Sequence, residues 1–293
     1  MAETRTRLHH RAEALAATLP PLLVAAERVA ATVSQGVHGR RRIGQGETFW
    51  QFRRYQAGDA ASRIDWRQSA KSQPVYVREN EWEAAQSVWL WRDASPSMDY
   101  RSAETLPAKV ARADLLTLAL ASLLVRGGEH IALLGTGMPP AAGRGALLRI
   151  AETIEAGRAR TVSLPIVEPL PRHARLVIIG DFLVPLADLR AVLAGFSARG
   201  VKGHLLQILD PAEETFPFTG RIQFEGPEDE GRLLIGRAES VRDGYRDAIA
   251  GHQRGLEALA RQTGWTLATH RTDRPAETSL LALFLALSQS LDR

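Results

Sequence analysis

The stretch VWLWRDASPS, residues 88–97, decides how this chain folds. Residues 88–92 predict a short strand whose lack of polar alternation is typical of strands buried in a parallel sheet. Asp93 follows at once, and the Ser95-Pro96 pair suits the N-cap and the first position of a helix. We therefore expect a buried strand that ends in a loop carrying Asp93, Ser95 and Ser97.

Strands and helices alternate from residue 88 to the end of the chain. Short apolar strands separated by helices that stop at Gly or Pro favour a mainly parallel sheet covered on both faces. The further predicted strands are 131–134, 176–179, 205–209 and 266–270, with a small hairpin at 222–224 and 233–235. The predicted helices are 107–125, 146–156, 186–198, 241–262 and 279–291. The expected fold class is α/β, a Rossmann-like sheet flanked by helices.

Two further regions precede this domain, which we place at residues 88–293. Residues 1–39 predict a helical segment, interrupted at Pro20-Pro21, and a linker. Residues 40–87 predict a small Arg- and Trp-rich β layer. Its short strands are expected around Phe52, Tyr55, Ile64, Trp66 and Val75–Val77.

The composition excludes several kinds of site. The 293 residues include no cysteine, which excludes thiolate metal sites, disulfides and a cysteine nucleophile. The sequence also lacks a phosphate-binding loop, a His-Glu-x-x-His motif and a Gly-x-Ser-x-Gly elbow. The apolar segments 115–125 and 280–287 are shorter than the roughly 20 residues that span a bilayer. With no signal-peptide pattern either, a cytoplasmic protein is expected.

Carboxylates follow the predicted strands 88–92 and 176–179. Asp93 follows strand 88–92, and Asp181 follows strand 176–179 through Gly180. Ligands of open α/β sheets bind beyond the carboxyl ends of the strands, where the strand order reverses. If these two strands are neighbours, the carboxylates and the nearby serine hydroxyls offer hard oxygen ligands that suit Mg²⁺ or Mn²⁺. The alternative, that the Asp-x-Ser-x-Ser string only caps a helix, stays open from the sequence.

A second pattern lies upstream, in residues 54–71. It reads Arg-Tyr-x-x-Gly-Asp and then Arg-Ile-Asp-Trp-x-x-Ser-Ala-Lys. This string resembles the signature of a bacterial family called domain of unknown function 58, and Asp-Ala-Ser-Pro-Ser at 93–97 is similar to the metal-ion-dependent adhesion site (MIDAS) of von Willebrand factor A domains. The signature residues, expected to serve interaction or structure, are Arg54, Tyr55, Gly58, Asp59, Arg63, Asp65, Trp66, Ser69 and Lys71.

The resemblance implies a von Willebrand A-like domain and a protein partner. Members of the family are often encoded beside MoxR-type AAA+ ATPases, so such an ATPase is the expected partner. The implied metal ligands are the MIDAS-like residues Asp93, Ser95, Ser97 and Asp181. The metal-binding threonine of such domains has no counterpart, since residues 143–145 read Gly-Arg-Gly, and Arg144 there would replace the charge of the cation.

Arginine, acidic and aromatic residues are interleaved between residues 48 and 81. Because Arg forms bidentate pairs and stacks on rings, the mixture predicts a β layer held by Arg–carboxylate pairs and Trp packing. A docking surface stays open as an alternative, since Trp and Arg are frequent in interface hot spots.

Residues 1–80 carry 13 basic and 7 acidic side chains, a net charge of +6. Nucleic-acid binding would use that charge, but the acidic residues interleaved with the basic ones would repel the phosphate backbone of a nucleic acid.

Three functions follow, in order of preference. The first is a non-enzymatic protein-interaction or adaptor module, with or without a divalent ion, that acts with a MoxR-type AAA+ ATPase in the maturation or assembly of a protein complex. Association with membrane proteins is compatible with this role. The second is a metal-dependent phosphatase or phosphotransferase with Asp93 as nucleophile, although Ser95 stands where an acid/base carboxylate is needed. The third is nucleic-acid binding through residues 36–80.

Overall fold

The computed structural model describes residues 21–37, 49–54, 66–71, 74–80, 87–157, 162–171, 174–227 and 231–289. The chain divides into two compact units. The smaller is Arg41–Gln86, and the larger joins Met1–Arg40 to Ser87–Arg293.

The helices and strands follow one another in an alternating order. They are α1 (Pro21–Val37), β1 (Phe49–Arg54), α2 (Trp66–Ser69), β2 (Tyr76–Asn80), β3 (Ser87–Arg92), α3 (Lys109–Arg126), β4 (His130–Leu133), α4 (Gly143–Glu155), β5 (Arg175–Gly180), α5 (Leu186–Ser197), β6 (Lys202–Leu209), α6 (Pro211–Thr215), β7 (Ile222–Glu225), β8 (Arg232–Ile235), α7 (Arg242–Thr263), β9 (Thr266–Arg271) and α8 (Ala276–Gln289). Two 3₁₀ helices lie at Pro96–Asp99 and Ala238–Val241.

Five parallel strands form the sheet of the larger unit, in the order β4-β3-β5-β6-β9. β3 and β5 are neighbours, with Trp91 opposite Ile178. The chain leaves β3 for β4 on one side and then returns to β5 on the other. The strand order therefore reverses between β3 and β5. This sheet and its flanking helices confirm the predicted α/β fold class.

Helices cover both faces of the sheet and create two hydrophobic cores. One core contains side chains of α1, α3, α4 and α8, and the other contains side chains of α5 and α7. Successive side chains of a strand point to opposite faces. Leu90 of β3 accordingly lies in the first core, while Trp89 and Trp91 lie in the second. Trp89 and Trp91 thus belong to a core of the sheet.

The predicted helices and strands of the larger unit agree with the structure apart from their ends. The short helix α6 is an addition, because no helix is predicted between the strand at 205–209 and the hairpin at 222–224. Asp210 instead caps this helix: its side chain accepts from the backbone N–H of Ala212, and the side chain of Glu213 reaches back to the N–H of Asp210. This reciprocal arrangement is a capping box.

Within the smaller unit, β1 and β2 pair antiparallel, with Arg54 opposite Tyr76. The prediction that Trp66 lies in a strand is wrong, since Trp66 opens the short helix α2 and its carbonyl accepts from the N–H of Ala70 at 2.9 Å. An aromatic residue is compatible with a strand or a helix. The Arg-Gln-Ser that follows Trp66 does not alternate between apolar and polar residues, so the local sequence does not distinguish the two structures. Oγ of Ser69 accepts from the N–H of Tyr76 at 2.9 Å and joins α2 to β2.

Across the described stretches of the chain, none of the helices is both long and apolar enough to cross a membrane.

Candidate functional site

Asp93 and Asp181 lie where the strand order of the sheet reverses. Asp93 follows β3 and Asp181 follows β5, and the N–H of Asp93 donates to the carbonyl of Ile179 at 2.7 Å. Gly180 permits this approach, because a Cβ atom there would lie 2.9 Å from Cβ of Asp93. Asp93 is 0% exposed and Asp181 is 1% exposed. Two acids are thus held side by side at the place where open α/β sheets bind ligands.

Short polar contacts join the four residues predicted as metal ligands. Oγ of Ser95 donates to Oδ1 of Asp93 at 2.6 Å, and the Ser95 N–H donates to the same oxygen at 2.8 Å. Oγ of Ser95 lies 3.1 Å from Oγ of Ser97, which in turn donates to Oδ2 of Asp181 at 3.0 Å. Although Ser95 precedes a 3₁₀ helix, its hydroxyl is directed to Asp93. The string Asp-x-Ser-x-Ser therefore organises this cluster.

Lys109, the first residue of α3, completes the cluster. Its ammonium group donates to Oδ2 of Asp181 at 2.8 Å and to Oε1 of Glu213 at 2.5 Å, and its side chain is 1% exposed. Burial lowers the pKa of Lys109, but the charges and hydrogen bonds of Asp181 and Glu213 outweigh burial and raise that pKa above its ordinary value. The lysine is therefore held in its charged form.

Glu213 reaches Lys109 because the capping box holds it. Oε2 of Glu213 accepts from the N–H of Asp210 at 2.8 Å, while Oδ1 of Asp210 accepts from the N–H of Ala212 at 2.8 Å. The other Asp210 oxygen accepts from the N–H of Ser102 at 2.9 Å. Burial raises the pKa of Glu213 and outweighs the opposite influence of Lys109. The local structure of α6 thus places a second carboxylate on the ammonium group.

The ammonium group of Lys109 occupies the position beside Asp181 where a divalent ion is predicted. Ser97 and Asp181 are oxygen ligands of the predicted kind, but Nζ of Lys109 lies on the Asp181 oxygen that Ser97 contacts. A divalent ion on that oxygen would be repelled by the ammonium group. In the described part of the chain, no group of three or more His, Cys, Asp or Glu side chains is placed to hold a metal. The arrangement does not fit Mg²⁺ or Mn²⁺, and metal binding stays a prediction.

A cleft of about 760 Å³ opens beside the cluster. Its floor is polar and includes Ser97, Lys109, Asp181 and Glu213. A cavity of this size, apolar with a few polar groups, is typical of binding sites. Its walls are mainly apolar and include Phe216, Phe218, Phe224, Leu233, Ile235 and Tyr245.

Four aromatic rings pack together in the cleft wall. The ring centroid of Phe216 lies 4.7 Å from Tyr245, 5.7 Å from Phe224 and 5.2 Å from Phe218. Phe216 has a left-handed backbone with φ of 46°, and Phe182, directly after Asp181, has φ of 53°. A non-glycine residue in this region costs free energy, and such strain is frequent at functional sites.

The burial and charge of the cluster limit its chemistry. Asp93 is 0% exposed and its Oδ1 accepts two hydrogen bonds from Ser95. Burial raises the pKa of Tyr100 to about 12, with the charges of Asp210 and Glu213 adding to the effect. A nucleophile has to reach its substrate, and a general base has to be unprotonated at the working pH. Lys109 gives this end of the cleft a buried positive charge that Asp181 and Glu213 pair.

The signature residues of the smaller unit are described only in part. Arg54 ends β1, and its side chain lies outside the described residues, as do the whole of Tyr55, Gly58, Asp59, Arg63 and Asp65. Trp66 is 67% exposed, Lys71 is exposed and Ser69 is half-buried. Their role in interaction or structure stays a prediction.

The sequence reasoning missed Lys109, Asp210 and Glu213. Lys109 is one of three lysines among 37 basic residues, and it stands at a helix N-terminus, where a positive charge is unfavourable. The pattern Asp-Pro-Ala-Glu at 210–213 is typical of a capping box with Pro at the first helical position. Arg144, predicted to replace the cation's charge, is exposed near the beginning of α4.

The chain belongs to the family described as "Protein of unknown function DUF58", whose model matches residues 51–255. The match covers Asp93, Lys109, Asp181 and Glu213. Two relatives, "Uncharacterized protein Mb1516" of Mycobacterium bovis and "Uncharacterized protein MT1527" of Mycobacterium tuberculosis, are each 27% identical over 282 residues, which is 89% of this chain and 86% of the relative.

Two solved structures share a distant likeness with the chain. A conserved hypothetical protein BatB from Bacteroides thetaiotaomicron is 14% identical, with a TM-score of 0.43, over 71% of this chain and 100% of that one. An aerotolerance-related membrane protein from Bacteroides fragilis is 15% identical, with a TM-score of 0.41, over 71% of this chain and 98% of that one. At these values neither structure bears on the function of this chain.

Proposed function

We propose that this protein is a non-enzymatic interaction module that binds a partner protein in the cleft beside Lys109 and Asp181. The observation that carries the proposal is a cleft of about 760 Å³ that combines aromatic walls with a floor of buried, ion-paired side chains. Leu233 lines this cleft and is 61% exposed, so an apolar side chain of a partner would gain burial against it.

The proposed partner is a MoxR-type AAA+ ATPase, and the proposed role is the maturation or assembly of a protein complex. The support for this partner is the resemblance carried by residues 54–71, together with membership of the family. The proposal includes a cytoplasmic site of action and is compatible with clients in a membrane. The von Willebrand A-like character of the domain belongs to the same proposal, and the strand-end site of the parallel sheet supports it.

The phosphatase alternative has less support. Asp93, its proposed nucleophile, is 0% exposed, and Ser95 is a poor general acid in the place of a carboxylic acid. Release of phosphate from an aryl phosphate that Asp93→Asn abolishes would favour this alternative over an interaction module. Nucleic-acid binding through residues 36–80 concerns a segment that lies largely outside the described residues, and salt-sensitive retention of single strands tests it.

The test of the interaction module is cross-linked co-purification of the tagged full chain from its source cell, with AAA+ ATPases identified by mass spectrometry. Wild type is compared with Leu233→Ser and with Leu234→Ser. Side chains alternate along β8, so Leu234, which is 53% exposed, points to the face opposite Leu233 and is the matched control.

We expect wild type and Leu234→Ser to recover an AAA+ ATPase and Leu233→Ser to recover none. If wild type recovers no AAA+ ATPase, the proposed partner is wrong. If both leucine variants recover it equally, the cleft is not the docking surface.

A further inference from the structure

The oxygen atoms predicted for a divalent ion converge on an ammonium group. Oδ2 of Asp181 accepts from Oγ of Ser97 at 3.0 Å and from Nζ of Lys109 at 2.8 Å. Ser97 is 3.1 Å from Ser95, which donates to Asp93. The four predicted ligands therefore form one connected cluster, and the positive charge that contacts it is Lys109.

The position of Lys109 is unfavourable for a lysine unless the charge itself is needed. Lys109 is the first residue of α3, where the helix dipole disfavours a cation. Burial of an ammonium group is strongly unfavourable unless the group is paired. Asp181 and Glu213 supply this pairing, with oxygen atoms 2.8 and 2.5 Å from the ammonium nitrogen, and the lysine side chain is 1% exposed. The carboxylates and the lysine thus require one another.

We propose that the ammonium group of Lys109 is the resident cation of this site and takes the place of a divalent ion, so that the site is complete without metal. The oxygen cluster alone is suited to Mg²⁺ or Mn²⁺, which the ammonium group excludes by its charge and its position. The substitution Lys109→Ser removes the shared counterion of Asp181 and Glu213 and opens space beside Ser97. The variant therefore gains a divalent-cation site.

The test is isothermal titration of Mn²⁺ and Mg²⁺ into the full chain. Wild type is compared with Lys109→Ser and with the control Lys202→Ser, which removes an exposed lysine of β6. Wild type and Lys202→Ser are expected to show no saturable binding. Lys109→Ser is expected to bind Mn²⁺ saturably, with an affinity at least about tenfold above the weakest that the titration detects. Addition of Asp181→Asn to Lys109→Ser abolishes the gained binding.

Two results of the titration overturn the inference. One is saturable Mn²⁺ binding by wild type that Asp93→Asn abolishes, and the other is a folded Lys109→Ser variant that binds neither ion. If Lys109→Ser does not fold alone, the measurement is recovery of its native circular dichroism spectrum on addition of Mn²⁺. Recovery supports the inference and its failure overturns it. Capture of an ATPase is independent of these titrations, so the failure of either proposal is distinguishable from failure of the other.

Discussion

The ammonium group of Lys109 lies 2.8 Å from Oδ2 of Asp181, at the edge where the strand order of the sheet reverses. Lys109 belongs to the first turn of α3 and Asp181 follows β5, 72 residues further along the chain. Their side chains are 1% and 2% exposed. The pair therefore joins a helix to the sheet and sets the charge of the candidate site.

Lys109→Met lowers the free energy of unfolding by about 3–5 kcal/mol, because it leaves the carboxylates of Asp181 and Glu213 buried without their cation. Urea denaturation near neutral pH measures the loss. The same substitution at the exposed Lys202 is the matched control and changes the free energy of unfolding by no more than about 0.5 kcal/mol. A loss at Lys109 as small as that of the control would contradict the stabilising role of the ion pairs.

Gly180→Ala lowers the free energy of unfolding by about 1–3 kcal/mol, since overpacking forces neighbouring atoms to move. The new Cβ atom would lie 2.9 Å from Cβ of Asp93 and 3.3 Å from its Oδ2. The matched control is Gly244→Ala in α7, where a Cβ atom meets nothing within 4 Å. That substitution is expected to raise the free energy of unfolding by about 0.5–1 kcal/mol, because Ala favours a helix interior. Thermal or urea denaturation of the two variants distinguishes them, and similar shifts in both would argue against the close approach at Gly180.

Two buried histidines make the fold less stable in acid. Burial lowers the pKa of His204 to about 4, with the charge of Arg175 adding to the effect, and burial with the charge of Arg112 lowers the pKa of His270 to about 4. Their ordinary value is 6.5, so between these values the unfolded chain binds more protons than the folded chain. The stability from the neutral rings is fully present above about pH 6.5 and is lost as the pH falls towards about 4, at most about 3 kcal/mol for each histidine.

The measurement for the histidines is the difference in free energy of unfolding between about pH 7 and about pH 5. His204→Gln and His270→Gln are each expected to show a smaller difference than wild type, because each removes one titrating ring. A difference equal to that of wild type in both variants would show that other groups cause the loss in acid.

Asp210→Ala lowers the free energy of unfolding by about 2 kcal/mol, the upper part of the range for loss of an N-cap. The Asp210 carboxylate accepts from the N–H groups of Ala212 and Ser102, and the residue is 0% exposed. The control is Asp188→Ala, which removes an exposed acid from the first turn of α5. If the two variants unfold at the same urea concentration, the cap contributes nothing particular to stability.

Much of the fold follows from local patterns. Val88–Arg92 predicts a buried strand because it has no polar alternation, and the structure has β3 at Ser87–Arg92. The pattern also predicts that Asp93 and Asp181 converge, because the carboxyl ends of parallel strands lie at one edge of a sheet. The same local reasoning placed Trp66 in a strand and was wrong there, since a single aromatic residue without alternation around it does not distinguish a strand from a helix.

The sequence by itself therefore determined the class of fold, the strand ends and the oxygen-rich character of the site, because periodicity and residue type act over short distances. Only the tertiary structure decided which cation meets those oxygens. Lys109 contacts Asp181 and Glu213 from positions 72 and 104 residues away, and hydrophobic burial, which is non-directional, does not specify such a pairing in advance. The packing of α3 and α6 against the ends of the strands brings Lys109, Asp181 and Glu213 together. Because these charges are buried, the folded chain is stable only if they pair with one another.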